Sequence, residues 1–412
     1  MELLRERLAT TPAGDRAALV EAFWAAAQQA GTPLIEPLPD APDHRAVTFL
    51  WRGEPGTRQV LLVANRLGDR EHLAGSLLSR LPGTDIWYLT YRLRDDHRGS
   101  YRMAADTGPH RPPTDPRDLQ SHLRALTRHA VPDPLNKETL ASRWDQTQNS
   151  VFALPHAPPQ PWAGRRAGIA RGRTERHRVT SRALGCDREV WAYLPPGGHH
   201  DDLPVLVLGD GDMWFGKLDL QDTLDALIAD AAVPPFAVLA PHAVDNATRW
   251  QELGGRDAYV TFLADEVLPW AATRRPVTAD PARTVVAGQS LGGVTALYAC
   301  LTRPDRFGNA LAHSPSLWWR PGLAAGIPKE TAAAPPWLLS RYAQAEQRPL
   351  RVRLDVGLHE GTMVDQARAL HDTLRSLRYD VTLTEFNGGH DYACWRGALA
   401  DGLAHLLGDA PA

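Results

Sequence analysis

Gly288-Gln289-Ser290-Leu291-Gly292 places a serine between two glycines at the spacing that can present a hydroxyl for nucleophilic attack. The bare pentapeptide occurs by chance in Gly-rich chains; its setting gives it meaning. Val285-Val286-Ala287 reads as a strand leading in, and Val294-Thr295-Ala296-Leu297-Tyr298 as a helix leading out. So sharp a strand-to-helix turn strains the serine backbone and leaves no room for side chains at its glycine positions. The chemistry this implies is acyl transfer from a carbonyl substrate through Ser290.

A serine hydroxyl is a weak nucleophile and needs a base, which in a strand-turn-helix fold of this kind comes last in the chain. His390 fits, because it follows a predicted strand at Val381–Phe386 through the flexible Asn387-Gly388-Gly389 and precedes a helical pattern at 395–407. Most of the 16 histidines have no such position and read as surface or satisfied polar groups. An acid that orients the imidazole is expected in the loop after the preceding strand, Gly357-Leu358-His359-Glu360-Gly361, which selects Glu360. Asp355, inside the strand, and Asp365, on the next helix, remain alternatives. Two backbone N–H groups should bind the developing oxyanion, one from Leu291 and one from the Gly-rich run Leu208–Trp214. Within that run Asp212 is the expected donor and Met213 the second choice. The alternating Asp210 and Asp212 make a poor metal site without further ligands, so neither a metal nor a cofactor is expected.

Positioning these residues requires a mostly parallel sheet, and the chain from Glu189 supplies the pattern. Apolar runs at 190–194, 204–208, 236–240, 283–287, 309–313, 351–356 and 381–386 alternate with helical periodicity at 218–229, 259–274, 293–302, 364–378 and 396–407. The fold class expected is α/β: an α/β-hydrolase domain with helices on both faces of its sheet, preceded by a smaller immunoglobulin-like β-sandwich. The sandwich is read from short β-branched and aromatic runs at 46–51, 59–63 and 85–91. Ahead of it, Asp15 is positioned to cap a helix over 16–29 that Gly31 closes. The stretch from Arg111 to Arg178 is rich in Pro, Arg and Gln and reads as an irregular wrap or linker. The domains are therefore drawn as 1–175 and 176–412.

With 412 residues, 45 Lys and Arg against 48 Asp and Glu, the net charge of −3 offers no global positive field for nucleic acid or an anionic membrane. No nucleic-acid or membrane partner is expected. Cys186, Cys300 and Cys394 are odd in number and far apart, which suits reduced thiols rather than a disulfide framework. Met1–Arg7 mixes charges of both signs and lacks the apolar core of a secretion signal, so a cytoplasmic location is expected.

Several longer stretches resemble the cytoplasmic enterochelin (enterobactin) esterases. In the second half they are Leu208–Trp214, Arg283–Ser290, Pro315-Ser316-Leu317-Trp318-Trp319, Gly388-Gly389-His390-Asp391 and Cys394-Trp395-Arg396-Gly397. In the first half they are Val47–Arg52, Gly83–Trp87, Arg98-Gly99-Ser100-Tyr101 and Asp133-Pro134-Leu135-Asn136. The resemblance implies a serine esterase that opens the lactone of a catecholate siderophore to release iron inside the cell, with a small-molecule substrate in ferric or iron-free form. It implies Ser290, His390 and Glu360 as the triad, in agreement with chain order. It also places Arg98 and Arg249 where a basic residue would face an anionic ligand, with intramolecular pairing to Glu252 or Asp95 as the alternative. Trp214, Trp318 and Trp319 could wall the pocket, although tryptophan is more often core. A carboxylesterase or acyltransferase for another natural-product ester, and a catalytically silent siderophore- or glycan-binding protein, are the competing readings. Oligomeric state is not legible.

Overall fold

The computed structural model describes residues 1–143, 145–198, 200–323, 325–326 and 336–408. It divides into two compact units, the first Met1–Pro158 with Asn387–Ala393, the second Pro159–Phe386 with the described residues from Cys394 onward. The division falls upstream of the expected 175/176. Gln160, Trp162 and Arg166 bind partners inside the second unit: Trp162 Nε1 and Arg166 Nη1 donate to Asp230 at 3.0 and 2.7 Å, and Arg396 Nε donates to Gln160 Oε1 at 2.7 Å.

The first unit opens with helices α1 (Glu2–Thr10) and α2 (Arg16–Ala30). Asp15 stands at the N-cap of α2 without a side-chain bond to it, and Gly31 ends it at φ +82°. Eight strands follow: β1 (Leu34–Pro37), β2 (His44–Arg52), β3 (Gln59–Ala64), β4 (Ser79–Arg80), β5 (Ile86–Arg94), β6 (Arg98–Asp106), β7 (Thr139–Ala141) and β8 (Gln148–Ala153). They form two antiparallel four-stranded sheets, ordered β1-β2-β5-β4 and β3-β6-β8-β7. Inward residues of both sheets share one core, with Phe49 of β2 set edge-on to Tyr101 of β6 at 4.7 Å and to Phe152 of β8 at 5.5 Å. This is the expected sandwich. Inside the stretch expected to be irregular lie β7, β8 and helix α3 (Pro116–Leu126), capped by Asp115, whose carboxylate accepts from Arg117 and Asp118 N–H with Pro116 in the first turn.

The second unit holds one eight-stranded sheet of β9 (Arg173–Ser181), β10 (Cys186–Leu194), β11 (Val205–Leu208), β12 (Ala237–Pro241), β13 (Thr284–Gln289), β14 (Asn309–His313), β15 (Arg351–Gly357) and β16 (Asp380–Phe386). Its order is β16-β15-β14-β13-β11-β12-β10-β9, antiparallel at β9/β10 and β10/β12 and parallel elsewhere. Helices α4 (Gly211–Trp214), α5 (Leu220–Ala229), α6 (Asn246–Glu252), α7 (Asp257–Thr261), α8 (Leu268–Ala272), α9 (Leu291–Thr302), α10 (Trp337–Gln344) and α11 (Thr362–Ser376) connect the strands, and α12 (Tyr392–Leu407) follows the last of them. The single helix expected over 259–274 is broken into α7, a wider π-type turn at Phe262–Val267, and α8. Pro269 has no N–H to return to the carbonyl of Asp265. Strand β9 lay unseen in the expected linker. Among the described residues no helix is long and apolar enough to cross a membrane, and the three cysteines are free.

Three loops at the carboxyl ends of parallel strands are tied by one buried ion pair. Arg249 of α6 donates Nε to Asp210 Oδ1 at 2.8 Å and Nη2 to Asp210 Oδ2 at 2.9 Å. Its Nη2 also reaches the carbonyl of Gln289 at 3.1 Å, and Gln289 Nε2 donates to Asp210. Arg249 and Asp210 are 6% and 1% exposed, so each charge depends on the other for solvation. Asp210 holds this position with φ +60°.

Arg249→Met is expected to destabilise the protein by about 3–5 kcal/mol, because it strands a buried carboxylate. The Asp210→Asn, Arg249→Met pair should cost less than the sum of its parts, and additive losses in urea denaturation would contradict the coupling. In the sandwich, Phe49→Ala should cost roughly 3–5 kcal/mol by the same measurement.

Candidate active site

Strand β13 is buried along its whole length, and the chain turns directly into α9, whose residues Leu291 to Cys300 are all buried. Ser290, at that turn, has φ +58° and ψ −119°, a conformation sparsely populated by non-glycine residues. A Cβ on Gly288 would lie 2.6 Å from Gly292 backbone atoms, so the bend closes only with glycine there. Ser290 N–H donates to the His313 carbonyl at 2.9 Å. Its own carbonyl accepts from Gly293, Val294 and Ser316 N–H at 3.1, 3.3 and 3.0 Å. The hydroxyl is partly accessible and lies 3.0 Å from the Ser316 hydroxyl. Leu291, first residue of α9, has an N–H with no intrahelical acceptor.

Around the turn stand two further buried polar groups. Glu360, 2% exposed, accepts from Ser314 Oγ at 2.5 Å and from Gly357 N–H at 2.8 Å, and Ser314 Oγ accepts from Trp395 Nε1 at 2.9 Å. Asp355, fully buried, is engaged elsewhere: its oxygens meet His313 Nδ1 at 3.1 Å and Arg353 at 3.3 Å. Asp365 is largely exposed near Arg368. In the loop after β11, Met213 N–H is bound to the Asp210 carbonyl at 2.9 Å, and Asp212 Oδ1 accepts from Ala243 N–H at 3.0 Å.

His390 belongs to the first unit. The Asn387–Ala393 segment is held by β3, β6 and their loops: Asn65 Nδ2 donates to the His390 carbonyl at 2.9 Å, Arg98 N–H to the Asn387 carbonyl at 3.0 Å, and His97 Nδ1 meets Asn387 Oδ1 at 3.1 Å. Next to His390, burial pushes the Asp391 carboxyl up, against the opposing effect of its Ser100 and Ala393 hydrogen bonds. A Cβ on Gly389 would sit 2.6 Å from Asn65 Oδ1 and 2.8 Å from Arg66 Cβ, so a larger residue there would have to displace the loop after β3.

The arginines and tryptophans singled out from sequence have distinct fates. Arg249 is committed to Asp210, while Glu252 pairs with Arg188 at 2.7 Å and Asp95 with Arg45 at 2.9 Å and His156 at 2.6 Å. Arg98 is half-buried and donates Nη2 to the Pro158 carbonyl at 2.8 Å. Trp214 is fully buried, with Nε1 3.3 Å from Gln289 Oε1, and Trp319 is 2% exposed. Trp318 is partly exposed and packs on Trp250 at 5.9 Å. Ser316 lay in a stretch that carried the family resemblance, whereas Ser314 and Asn65 had no sequence signal. Among the described residues no cluster of His, Cys, Asp or Glu is arranged to hold a metal ion.

Comparison with known proteins matches residues 181–406 to a family described as "Putative esterase" and residues 46–163 to "Enterochelin esterase, N-terminal". The iron(III) salmochelin esterase of Escherichia coli O6:H1 is 36% identical over 98% of this chain and 97% of its own length. The iron(III) enterobactin esterase of Dickeya dadantii is 34% identical over 95% and 94%. Among solved structures, the ferric enterobactin esterase of Salmonella typhimurium aligns at a TM-score of 0.80 with 28% identity, covering 94% of this chain and 98% of that one. The enterobactin esterase of Shigella flexneri, solved in the presence of enterobactin, aligns at 0.78 with 28% identity, covering 93% and 97%. With a strained serine turn on a largely parallel sheet, a preceding sandwich, and both family regions in this order along nearly the full chain, the protein belongs to the enterochelin esterase family.

Proposed function

We propose that this chain is a cytoplasmic serine esterase that opens the ester bonds of a catecholate siderophore such as enterobactin, releasing iron for the cell. The observation that carries the reading is the strained Ser290 backbone at the junction of a buried strand and a buried helix, in a family whose named members are siderophore esterases. Each relative reported above carries esterase in its name, and no observation favours transfer or binding alone. Free thiols and a chain without a strongly basic balance agree with this setting.

Ser290 Oγ attacks the ester carbonyl while His390 takes its proton, then returns it to the departing seryl hydroxyl; water releases the acyl-enzyme by the same steps. Glu360 orients the imidazole. That role is supported by its fixed carboxylate, whose Oε1 is set by Ser314 and Gly357, while both Asp355 oxygens face His313 and Arg353. Leu291 N–H and Asp212 N–H bind the oxyanion. Met213 is the weaker second donor, since its N–H already serves Asp210. Arg249 acts in this reading as a positioning residue beneath the turn, and Trp318 and Arg98 are the remaining ligand-facing candidates.

Ser290→Ala should reduce enterobactin hydrolysis by about 10³-fold or more, read by mass spectrometry of linear trimer, dimer and monomer. Wild-type product formation by that variant would sink the proposal. Glu360→Gln should lower kcat by roughly 10²–10⁴ with little change in KM, whereas Asp355→Asn should act mainly on thermal stability. The reverse pattern would move the orienting acid to Asp355.

A further inference from the structure

A second hydroxyl touches the nucleophile and has no part in the triad. Ser316 Oγ lies 3.0 Å from Ser290 Oγ, and either oxygen could donate. Ser290 is partly accessible, whereas Ser316 is 1% exposed. Among the described residues the Ser316 side chain forms no other hydrogen bond. A hydroxyl so deeply buried is committed to its one partner, because leaving the bond unmade carries the full desolvation penalty.

The loop after β14 fixes this hydroxyl in place. Ser314 has φ +45°, in the left-handed region, with its N–H bonded to the Asp355 carbonyl at 2.6 Å and its hydroxyl to Glu360 Oε1 at 2.5 Å. Pro315 lies against the start of α9, since a Cβ on Gly293 would meet Pro315 Cα and Cβ at 3.1 Å. Ser316 N–H then donates to the Ser290 carbonyl at 3.0 Å, and the Ser316 carbonyl accepts from Trp319 N–H at 2.8 Å. Ser316 is thus bonded to Ser290 through backbone and side chain alike. Removing its hydroxyl leaves the backbone contact in place, which separates the chemistry of the hydroxyl from the support of the turn.

Resting on the serine-esterase reading above, we propose that the Ser316 hydroxyl is a catalytic donor to Ser290 Oγ that acts chiefly in deacylation, when that oxygen must leave. Whenever the Ser290 proton is directed to its base, Ser316 is the donor of the pair. In the acyl-enzyme Oγ is an ester oxygen, a weak acceptor because its lone pair is delocalised into the carbonyl. Water adds to that carbonyl carbon and gives a proton to His390, which ends the delocalisation. The tetrahedral intermediate then collapses: the C–Oγ bond breaks, its electron pair goes to Oγ, and the His390 proton follows. Ser316 keeps its own proton throughout and donates a hydrogen bond to the oxygen on which charge gathers. Such a bond lowers a barrier only by as much as it strengthens between ground and transition state. On attack Oγ begins as a hydroxyl, already a good acceptor, so the gain is small; on departure it begins as an ester oxygen, and the gain is larger.

The test uses the full-length protein and p-nitrophenyl butyrate, an activated ester whose fast acylation leaves deacylation rate-limiting, so that kcat reports deacylation and kcat/KM reports acylation. Ser316→Ala should lower kcat by about tenfold while kcat/KM changes by less than about threefold, so that KM falls as well. Intact-mass spectrometry should show the acyl-enzyme accumulating in the variant, and a fluorophosphonate, which reports acylation alone, should label variant and parent at rates within about threefold of each other. Ser316→Thr, which keeps the hydroxyl, should recover most of kcat; if it does not fold, Ser316→Cys, a weaker donor of similar size, should fall between Ser and Ala. Enterobactin replaces the aryl ester if the latter is not taken, with acyl-enzyme accumulation as the deciding reading. An unchanged kcat and no accumulation in a folded Ser316→Ala protein overturn the inference. Equal losses of kcat and kcat/KM with slowed labelling also overturn it, because Ser316 would then support the turn and nothing more. A parent that hydrolyses neither ester, or that Ser290→Ala leaves fully active, would overturn the serine-esterase reading and this inference together.

Discussion

Ser290 sits with its backbone in the left-handed half of conformational space, a state that costs on the order of 1–3 kcal/mol and persists only where its surroundings over-determine it. Here they do. Strand β13 lies inside a parallel sheet with β11 on one side and β14 on the other, and α9 is buried through Cys300, so neither flank can relax. Gly288 and Gly292 touch backbone to backbone across the bend, and the Ser290 N–H and carbonyl are both bonded, to His313, Gly293, Val294 and Ser316. The strained turn is stored against the packing of the whole second unit. What that strain supplies is position, since it lifts a hydroxyl off the sheet edge and starts a helix whose first N–H groups have no partner in the helix.

The charges beneath this edge are held in three sets of side-chain bonds, and the Ser314 N–H to the Asp355 carbonyl at 2.6 Å links two of them. Arg249, Asp210 and Gln289 hold the loops after β11 and β13 together. Ser314, Glu360, Gly357 and Trp395 fix one carboxylate, and His313, Asp355 and Arg353 fix another. Buried ion pairs return little net stability, because desolvation offsets most of the attraction. Their effect is geometric: a bidentate Arg249 to Asp210 contact permits one arrangement of α6 against the two loops, and a carboxylate held by two donors cannot rotate.

The His390 segment has a different dependence. It is continuous with β16 and α12 in the chain, yet its contacts group it with the sandwich, through Asn65, His97, Arg98 and the buried pairing of Ser100 with Asp391. The first unit is thus part of what shapes the proposed general base, besides any role in binding.

By itself the sequence determined what is local. The Gly-x-Ser-x-Gly turn between an apolar strand and an apolar helix and the alternation of inward residues such as Phe49 are both set by neighbours a few positions apart. The Asp115-Pro116 cap of α3 was equally local and stood in plain view inside the Pro-rich stretch. Strand β9 was not legible: Arg173, Glu175, Arg176, His177 and Arg178 suit a solvated sheet edge, where charge blunts unwanted pairing and erases the apolar alternation. Only tertiary structure decided which charges are spent on each other. Arg249 and Asp210 are 39 positions apart and Ser314 and Glu360 46, so their pairing depends on the order of strands in the sheet. The same folding left Arg66 Nε buried without an acceptor among the described residues, because a charge is neutralised by what lies within a few ångströms, and the chain brings those neighbours from distant places.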